Sequence, residues 1–346
     1  MFQLIAGPCA AESKEQLLTI AKQVSSIGGI SYFRCGIWKP RTRPNLFEGV
    51  GEKGLSWLKE VKEETLLKTL VEVATPLHVE KALSFGVDAL WIGARTTTSP
   101  FYTEEIARSL KGVDIPVFIK NPLNPDIKLW IGAIERFNNS IKNDNSKNIF
   151  AIHRGFSLAD NGKYRQSPYW KIPIELKRIF PYLPIICDPS HICGNREYIK
   201  EVCQSALNIG MDGLMIEVHN NPEKALTDSK QQITPLQLKN LIEELIFVKQ
   251  QSLQNSSILS LRKEIDDMDF QIMDILKRRM DISLSIAKIK KEENISILQV
   301  DRFSNMLKTR LEFLGESSPI SSEFIKDLFE LIHQESIRIQ NEKMKE

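Results

Sequence analysis

Residues 213–218 read Gly213-Leu214-Met215-Ile216-Glu217-Val218, a short apolar run that carries a carboxylate near its end, with an imidazole, His219, just beyond it. It is the last of eight such runs. The others occupy residues 2–6, 32–35, 69–73, 89–92, 117–119, 149–152 and 184–187, with helix-period patterns between them. Eight strands alternating with helices in about 245 residues match the size and rhythm of a (β/α)8 barrel. An open doubly wound sheet stays possible, but it needs no eighth repeat.

Beyond residue 219 the composition changes. Every glycine but Gly315 lies at or before Gly213, every proline but Pro319 at or before Pro235, and all tryptophans, tyrosines and cysteines precede Gln204. Glycine and proline punctuate turns, so many short elements give way to a few long helices. The polar run from Gln250 to Ser257 reads as a linker. The expected organisation is α/β: a TIM barrel over residues 1–250, a linker at 251–257, and an all-α three-helix domain at 258–346. In that domain Ile258, Leu261, Ile265, Met268, Ile272, Ile275, Ile282, Ile286 and Ile289 step by three and four, a coiled-coil-like seam suited to dimerisation. Arg279 is a charged position within the seam.

The 346 residues are 42% hydrophobic and 26% charged, enough for a sizeable core and against disorder. A formal net charge of +2 implies neither a nucleic-acid nor a membrane surface. No run approaches the roughly 18–20 apolar residues of a membrane span, and the amino end has no export signal, so a cytoplasmic protein is expected. Five irregularly spaced cysteines then read as reduced thiols.

Barrel chemistry gathers at the carboxyl ends of strands. There the chain places Arg34, Lys39, Arg41, Arg95, Lys120 and Arg154. Six cations around one mouth repel one another unless an anionic ligand compensates, and guanidinium forks fit phosphate and carboxylate oxygens. A phosphorylated substrate follows. A second group is Cys9, His191, Glu217 and Asp228, the first three at the ends of strands 1, 7 and 8, which are neighbours once the barrel closes. One thiolate, one imidazole and two carboxylates suit manganese, iron, cobalt or zinc better than magnesium. The bland alternative is a buried thiol beside ordinary loop residues.

Ile5-Ala6-Gly7-Pro8-Cys9, Lys39-Pro40-Arg41-Thr42, Ile92-Gly93-Ala94-Arg95, Asp188-Pro189-Ser190-His191 and Ile216-Glu217-Val218-His219 together resemble the 3-deoxy-D-arabino-heptulosonate 7-phosphate (DAHP) synthase family, in order across about residues 1–245. The resemblance implies condensation of phosphoenolpyruvate with erythrose 4-phosphate, and it makes Cys9, His191, Glu217 and Asp228 the ligands of a divalent metal, manganese first. It implies that Arg34, Lys39, Arg95, Lys120 and Arg154 hold phosphoenolpyruvate and that Arg41 and Thr96 lie near the erythrose phosphate. Lys39 or a water on the metal protonates the new alkoxide. The related synthase that uses arabinose 5-phosphate shares the barrel, but Lys-Pro-Arg-Thr at 39–42 looks like the erythrose form. A Schiff-base aldolase acting through Lys120 needs no metal, so chelation separates it.

On the long helix, Lys290 points within about 20° of the Arg279 direction, whereas Arg262 lies about 100° round and roughly 25 Å away. A small ligand touching both Arg262 and Arg279 therefore takes Arg262 from a second chain. The segment is similar to the all-helical chorismate mutase family through Leu261-Arg262-Lys263-Glu264-Ile265-Asp266, Asp269, Arg278-Arg279, Lys288-Ile289-Lys290, Asp301-Arg302 and Gln340. The similarity implies a dimer that rearranges chorismate to prephenate. Arg262, Arg279 and Arg302 would hold carboxylates, with Lys290 and Gln340 on the ether oxygen. Phe303 and Gln299 depart from the family, which usually has a glutamate and an aspartate there.

The chain thus reads as a bifunctional enzyme of aromatic amino-acid synthesis whose barrel is inhibited by prephenate or chorismate bound at the helices. A monofunctional synthase with a sensing, dimerising tail is the alternative.

Overall fold

The computed structural model describes residues 2–39, 45–141, 148–247, 256–298, 300–315 and 318–345. The chain divides into two compact units, Met1–Gln250 and Gln251–Glu346. Most of the expected linker at 251–257 lies outside the described residues. Ser256 and Ser257 already belong to the following helix.

In the first unit, β1 (Gln3–Gly7), β2 (Tyr32–Cys35), β3 (Thr69–Val73), β4 (Ala89–Ile92), β5 (Val117–Lys120), β6 (Ile149–His153), β7 (Ile185–Cys187) and β8 (Gly213–Glu217) pair in sequence order and close into a barrel. All pairs are parallel, and β1 meets β8 with Gly7 beside Glu217. This is the expected (β/α)8 barrel, and the open sheet falls away. Helices α1 (Lys14–Ser25), α2 (Lys53–Thr65), α3 (Pro76–Ser84), α4 (Ala94–Thr97), α5 (Pro100–Ser109) and α6 (Ile127–Ser140) connect the first six strands. After β6 come α7 (Lys171–Ile179), α8 (Pro189–Cys193), α9 (Ile199–Asn208) and, beyond β8, α10 (Pro235–Glu244). Side chains that accept from first-turn N–H groups start several of them: Ser13 for α1, Thr75 for α3, Ser99 for α5, Asp126 for α6, and a complete capping box of Thr234 and Gln237 for α10.

Side-chain alternation along the strands positions the site. Ile5, Tyr32, Leu70, Ala89, Trp91, Phe118, Ile152, Ile186 and Met215 form one buried cluster contributed by all eight strands, the filling of the barrel. A larger cluster, with Leu4, Phe33, Val71, Leu90, Ile119 and Leu214 among its strand members, packs between the strands and their helices. Because the strand period is two, the next position with the inward parity, toward the carboxyl end, is Gly7, Arg34, Glu72, Gly93, Lys120, Arg154, Asp188 and Glu217 in strands one to eight. Apolar filling is thus capped by a layer of glycine and charge.

The second unit consists of α11 (Ser256–Glu292), α12 (Val300–Leu314) and α13 (Ser322–Lys345), with α11 and α12 both packed on α13. The inner face of α11 carries the buried Ser283, Ala287 and Lys290. The first half of the apolar seam lies elsewhere: Ile265, Met268, Ile272 and Ile275 are each more than half exposed on the single chain, whereas Ile282 and Ile286 line a cavity within the unit. Among the described residues, no helix is long and apolar enough to cross a membrane.

Candidate active sites

The barrel opens at its carboxyl end into a cavity of about 200 Å³ lined by Lys39, Glu72, Arg95, Lys120, Arg154, Arg165, His191 and Asp228, among others. Lys39, Arg95, Lys120 and Arg154 therefore meet as expected. Arg34 sits deeper. It is fully buried, with its guanidinium carbon 5.0 Å from the centre of the Trp91 ring and Nη2 3.0 Å from Glu217 Oε1. Lys120 also lies over Trp91, at 5.7 Å, and donates to Asp188 at 2.8 Å. Thr96 is buried in α4 and is not among the lining residues. Arg41 and Thr42 lie outside the described residues.

Of these cations, Arg34, Lys120 and Arg154 are held out of water. Burial lowers the pKa of Lys120 and brings that of Arg154 down to about 10, with Asp188 opposing both shifts. Arg34 Nε and Nη1 and Arg154 Nη1 are buried with no hydrogen-bond partner among the described residues. Buried guanidinium nitrogens left unpaired are costly, and an anion with several oxygens satisfies them.

Cys9 Sγ, a Glu217 oxygen and an Asp228 oxygen lie within 4.8 Å of one another. The β1–β8 pairing sets Cys9 beside Glu217, and the turn that carries Asp228 in a left-handed conformation (φ 46°) brings in the third. Cys9 Sγ donates to Asp228 Oδ2 at 3.3 Å. His191 stands alongside rather than within this tight set. Its Nε2 is 3.7 Å from Glu217 Oε1, and its Nδ1 is 2.8 Å from Asp188 Oδ2. Asp188 on Nδ1 leaves Nε2 on the side of the thiol and carboxylates, the arrangement by which a carboxylate orients a ligand imidazole.

Electrostatics agree with a cation here. Burial, then Glu217, pushes the Cys9 thiol up to about 12, so without a metal it stays protonated; Lys39, with Nζ 3.2 Å from Sγ, pulls the other way. Burial opposes ionisation of Glu217 and Asp228, yet both are held below the usual carboxylate range, in the acid range where they titrate, by protonated His191 together with Arg34 for the first and Arg165 for the second. Burial keeps His191 neutral against the pull of Asp188. A thiol, two carboxylates and a neutral imidazole nitrogen form a coherent donor set for a divalent ion.

Glu72, Arg165, Gln166 and Asp188 were not assigned roles from sequence. Glu72 was legible, since it follows Leu70 by two in β3. Arg165 was not: it arrives on the loop after β6, tied down by the Phe156–Ser167 bridge, and donates to Asp228 at 3.0 Å.

The helical unit holds a second cavity, of about 300 Å³, with Arg279, Lys290, Arg302, Phe303 and Gln340 on its wall. Arg279 donates to Ser336 Oγ at 2.5 Å, and Lys290 to the Ile297 carbonyl at 2.7 Å. Arg262 is exposed and does not line it; Gln299 lies outside the described residues. Arg310, His333 and Ser336 complete the wall and were not foreseen.

A closed parallel barrel whose carboxyl mouth gathers buried cations beside a thiol and two carboxylates has the layout of a barrel enzyme's active site. Residues 1–254 match the profile of the DAHP synthetase I family, and residues 261–341 that of chorismate mutase type II. The chain belongs to the DAHP synthetase I family and carries a carboxyl-terminal chorismate mutase type II domain, so the domains of two enzymes are present. It is 30% identical over 244 residues to a phospho-2-dehydro-3-deoxyheptonate aldolase of Thermotoga maritima, covering 70% of this chain and 69% of that protein. It is 27% identical over 270 residues to a 2-dehydro-3-deoxyphosphooctonate aldolase of Wolinella succinogenes, covering 71% and 99%. The crystal structure of the Thermotoga DAHP synthase superposes with a TM-score of 0.61 at 29% identity, over 70% of this chain and 67% of that one.

Proposed function

We propose that the barrel condenses phosphoenolpyruvate with erythrose 4-phosphate to DAHP and phosphate, and that the helical unit rearranges chorismate to prephenate. The observation that carries the first assignment is the buried cationic pocket, whose Arg34 and Arg154 nitrogens await an anion. Arg34, Lys39, Arg95, Lys120 and Arg154 are assigned to the carboxylate and phosphate of phosphoenolpyruvate, and Arg41 and Thr96 to the erythrose phosphate.

Cys9, His191, Glu217 and Asp228 would hold a divalent ion, manganese by preference among manganese, iron, cobalt and zinc. When bound, the ion polarises the aldehyde oxygen. C3 of phosphoenolpyruvate then attacks the aldehyde carbon, water adds at C2, and the C2–O bond to phosphate breaks. Lys39 is the proton donor to the new alkoxide: Cys9, Glu72 and Glu217 raise its pKa against the effect of burial, so it carries a proton at neutral pH. Lys120 is engaged by Asp188, which favours an anion-binding role over a Schiff base. Chelation should abolish phosphoenolpyruvate consumption and manganese restore it; turnover indifferent to chelator refutes the metal assignment.

In the helical unit the rearrangement needs no nucleophile, so rate comes from holding the compact conformer and stabilising charge on the breaking ether bond. Arg279 and Arg302 are assigned to carboxylates, and Lys290 and Gln340 to the ether oxygen. Arg262 is assigned to the cavity of a second copy, supported by its distance from this one and by the exposed seam that would bury in a homodimer. Sedimentation should find dimers, and Arg279→Ala should abolish prephenate formation. We further assign prephenate or chorismate as a feedback inhibitor of the barrel, acting from the helical cavity in a cytoplasmic enzyme; Arg279→Ala in the full chain should then relieve inhibition. A helical unit that binds prephenate without turnover would instead be a sensor.

A further inference from the structure

Four cations border the helical cavity: Arg279, Lys290, Arg302 and Arg310. Among them stands one imidazole. His333 of α13 lines the same cavity and stacks on Phe303 of α12, with ring centroids 4.3 Å apart and planes 21° from parallel. Its Nε2 is buried and has no hydrogen-bond partner among the described residues.

That combination has a chemical meaning. Burial, then the charges of Arg279 and Lys290, lowers the pKa of His333, so the ring is uncharged at neutral pH. A neutral imidazole nitrogen makes one hydrogen bond, as donor or acceptor by tautomer, and a hydroxyl can take either part. Carboxylates have better partners in the surrounding guanidinium and ammonium groups. The stack on Phe303 holds the plane of the ring, so the unpaired nitrogen is held in a set direction rather than free to turn to solvent.

We propose that His333 Nε2 recognises the ring hydroxyl of the ligand in this cavity, while the cations take its two carboxylates. Chorismate and prephenate both present that division of groups. The inference rests on assigning the cavity to them, and it makes His333 a specificity residue.

The test compares binding of chorismate and of its ring-hydroxyl methyl ether to the full-length chain, to His333→Phe and to His333→Gln. Phenylalanine keeps the stack and removes the nitrogen; glutamine keeps a hydrogen-bonding group. The unaltered chain should prefer chorismate over the ether by about tenfold, the typical consequence of one buried hydrogen bond lost. In His333→Phe the affinity for chorismate should fall by about tenfold and the preference should vanish, while His333→Gln should retain part of it. Should phenylalanine disturb the helices, seen as lost helical circular dichroism, His333→Leu makes the same comparison. A Phe or Leu variant that still prefers chorismate by the full factor overturns the role of His333 alone. A wild-type chain that binds neither chorismate nor prephenate sinks the assignment of the cavity, and this inference with it.

Discussion

His153 should make the barrel sensitive to mild acid, through its effect on folding rather than on chemistry. It ends β6, is fully buried, and lies between the rings of Phe156 and Trp170, at 5.6 and 5.2 Å. Neither ring nitrogen has a well-formed hydrogen bond among the described residues. Burial brings its pKa from 6.5 to about 3, against the opposing pull of the Pro168 carbonyl and Asp188. Below pH 6.5 the unfolded chain therefore binds a proton that the folded chain refuses, so stability falls with pH, by about 1.4 kcal/mol per unit, until about pH 3. From pH 7.5 to 5.0 only the stretch below 6.5 counts, about 2 kcal/mol. His153→Leu removes the titrating group. Urea unfolding followed by tryptophan fluorescence reports on the barrel alone, because every tryptophan lies between Trp38 and Trp170. Any cost of the leucine itself is independent of pH and cancels when the two pH values are compared. The stability difference between wild type and variant should thus move by about 2 kcal/mol in the variant's favour at pH 5.0. A difference that stays constant over that range would falsify the claim that His153 is folded in its neutral form.

Gly7 and Gly93 make a contrasting pair. A Cβ on Gly7, at φ 148°, would collide with the Arg34 backbone carbonyl, so Gly7→Ala should not yield soluble native barrel. On Gly93 it would meet only the Glu72 carboxylate, a side-chain end that can move, so Gly93→Ala should fold normally but show a raised KM for phosphoenolpyruvate; the reverse pattern would contradict the packing around both. Asp228→Asn should weaken manganese binding by at least about tenfold in calorimetric titration, and unchanged affinity would remove Asp228 from the ligand set. Thr234→Ala, which breaks the capping box of α10, should cost about 1 kcal/mol in barrel stability and leave both activities intact.

Much of the fold was legible because inward and outward positions alternate so strictly. The strand expected at 32–35 matches β2, and that at 69–73 matches β3, while the edges of β1, β5, β6, β7 and β8 differ by one residue at one or both ends. Cys9 and Glu217 could be paired from sequence once the barrel was assumed, since closure alone makes β1 and β8 neighbours. Arg34 shows the limit of that reasoning. Its place in β2 was clear, but whether it rimmed the cavity or lay beneath it depended on its reach toward Glu217, which no spacing encodes. The loop residues Arg165 and Gln166 were invisible for a related reason: their approach to the mouth is set by the path of an irregular segment. On the helices, the spacing puts Arg279 within the apolar seam, whereas α11 turns it toward α13 and Ser336. A three-and-four spacing fits two adjacent faces of a helix, and only packing chooses between them.

The apolar filling below the barrel's charged layer has a consequence of its own. Trp91 lies under both Arg34 and Lys120, so these cations rest on an electrical insulator that water cannot wick through from beneath. Field lines from the pocket are thereby forced upward to the single open side, where the incoming anion arrives, and the attraction it meets is little damped by solvent. The strength of the anion pocket is in that sense set partly by residues that never touch the ligand.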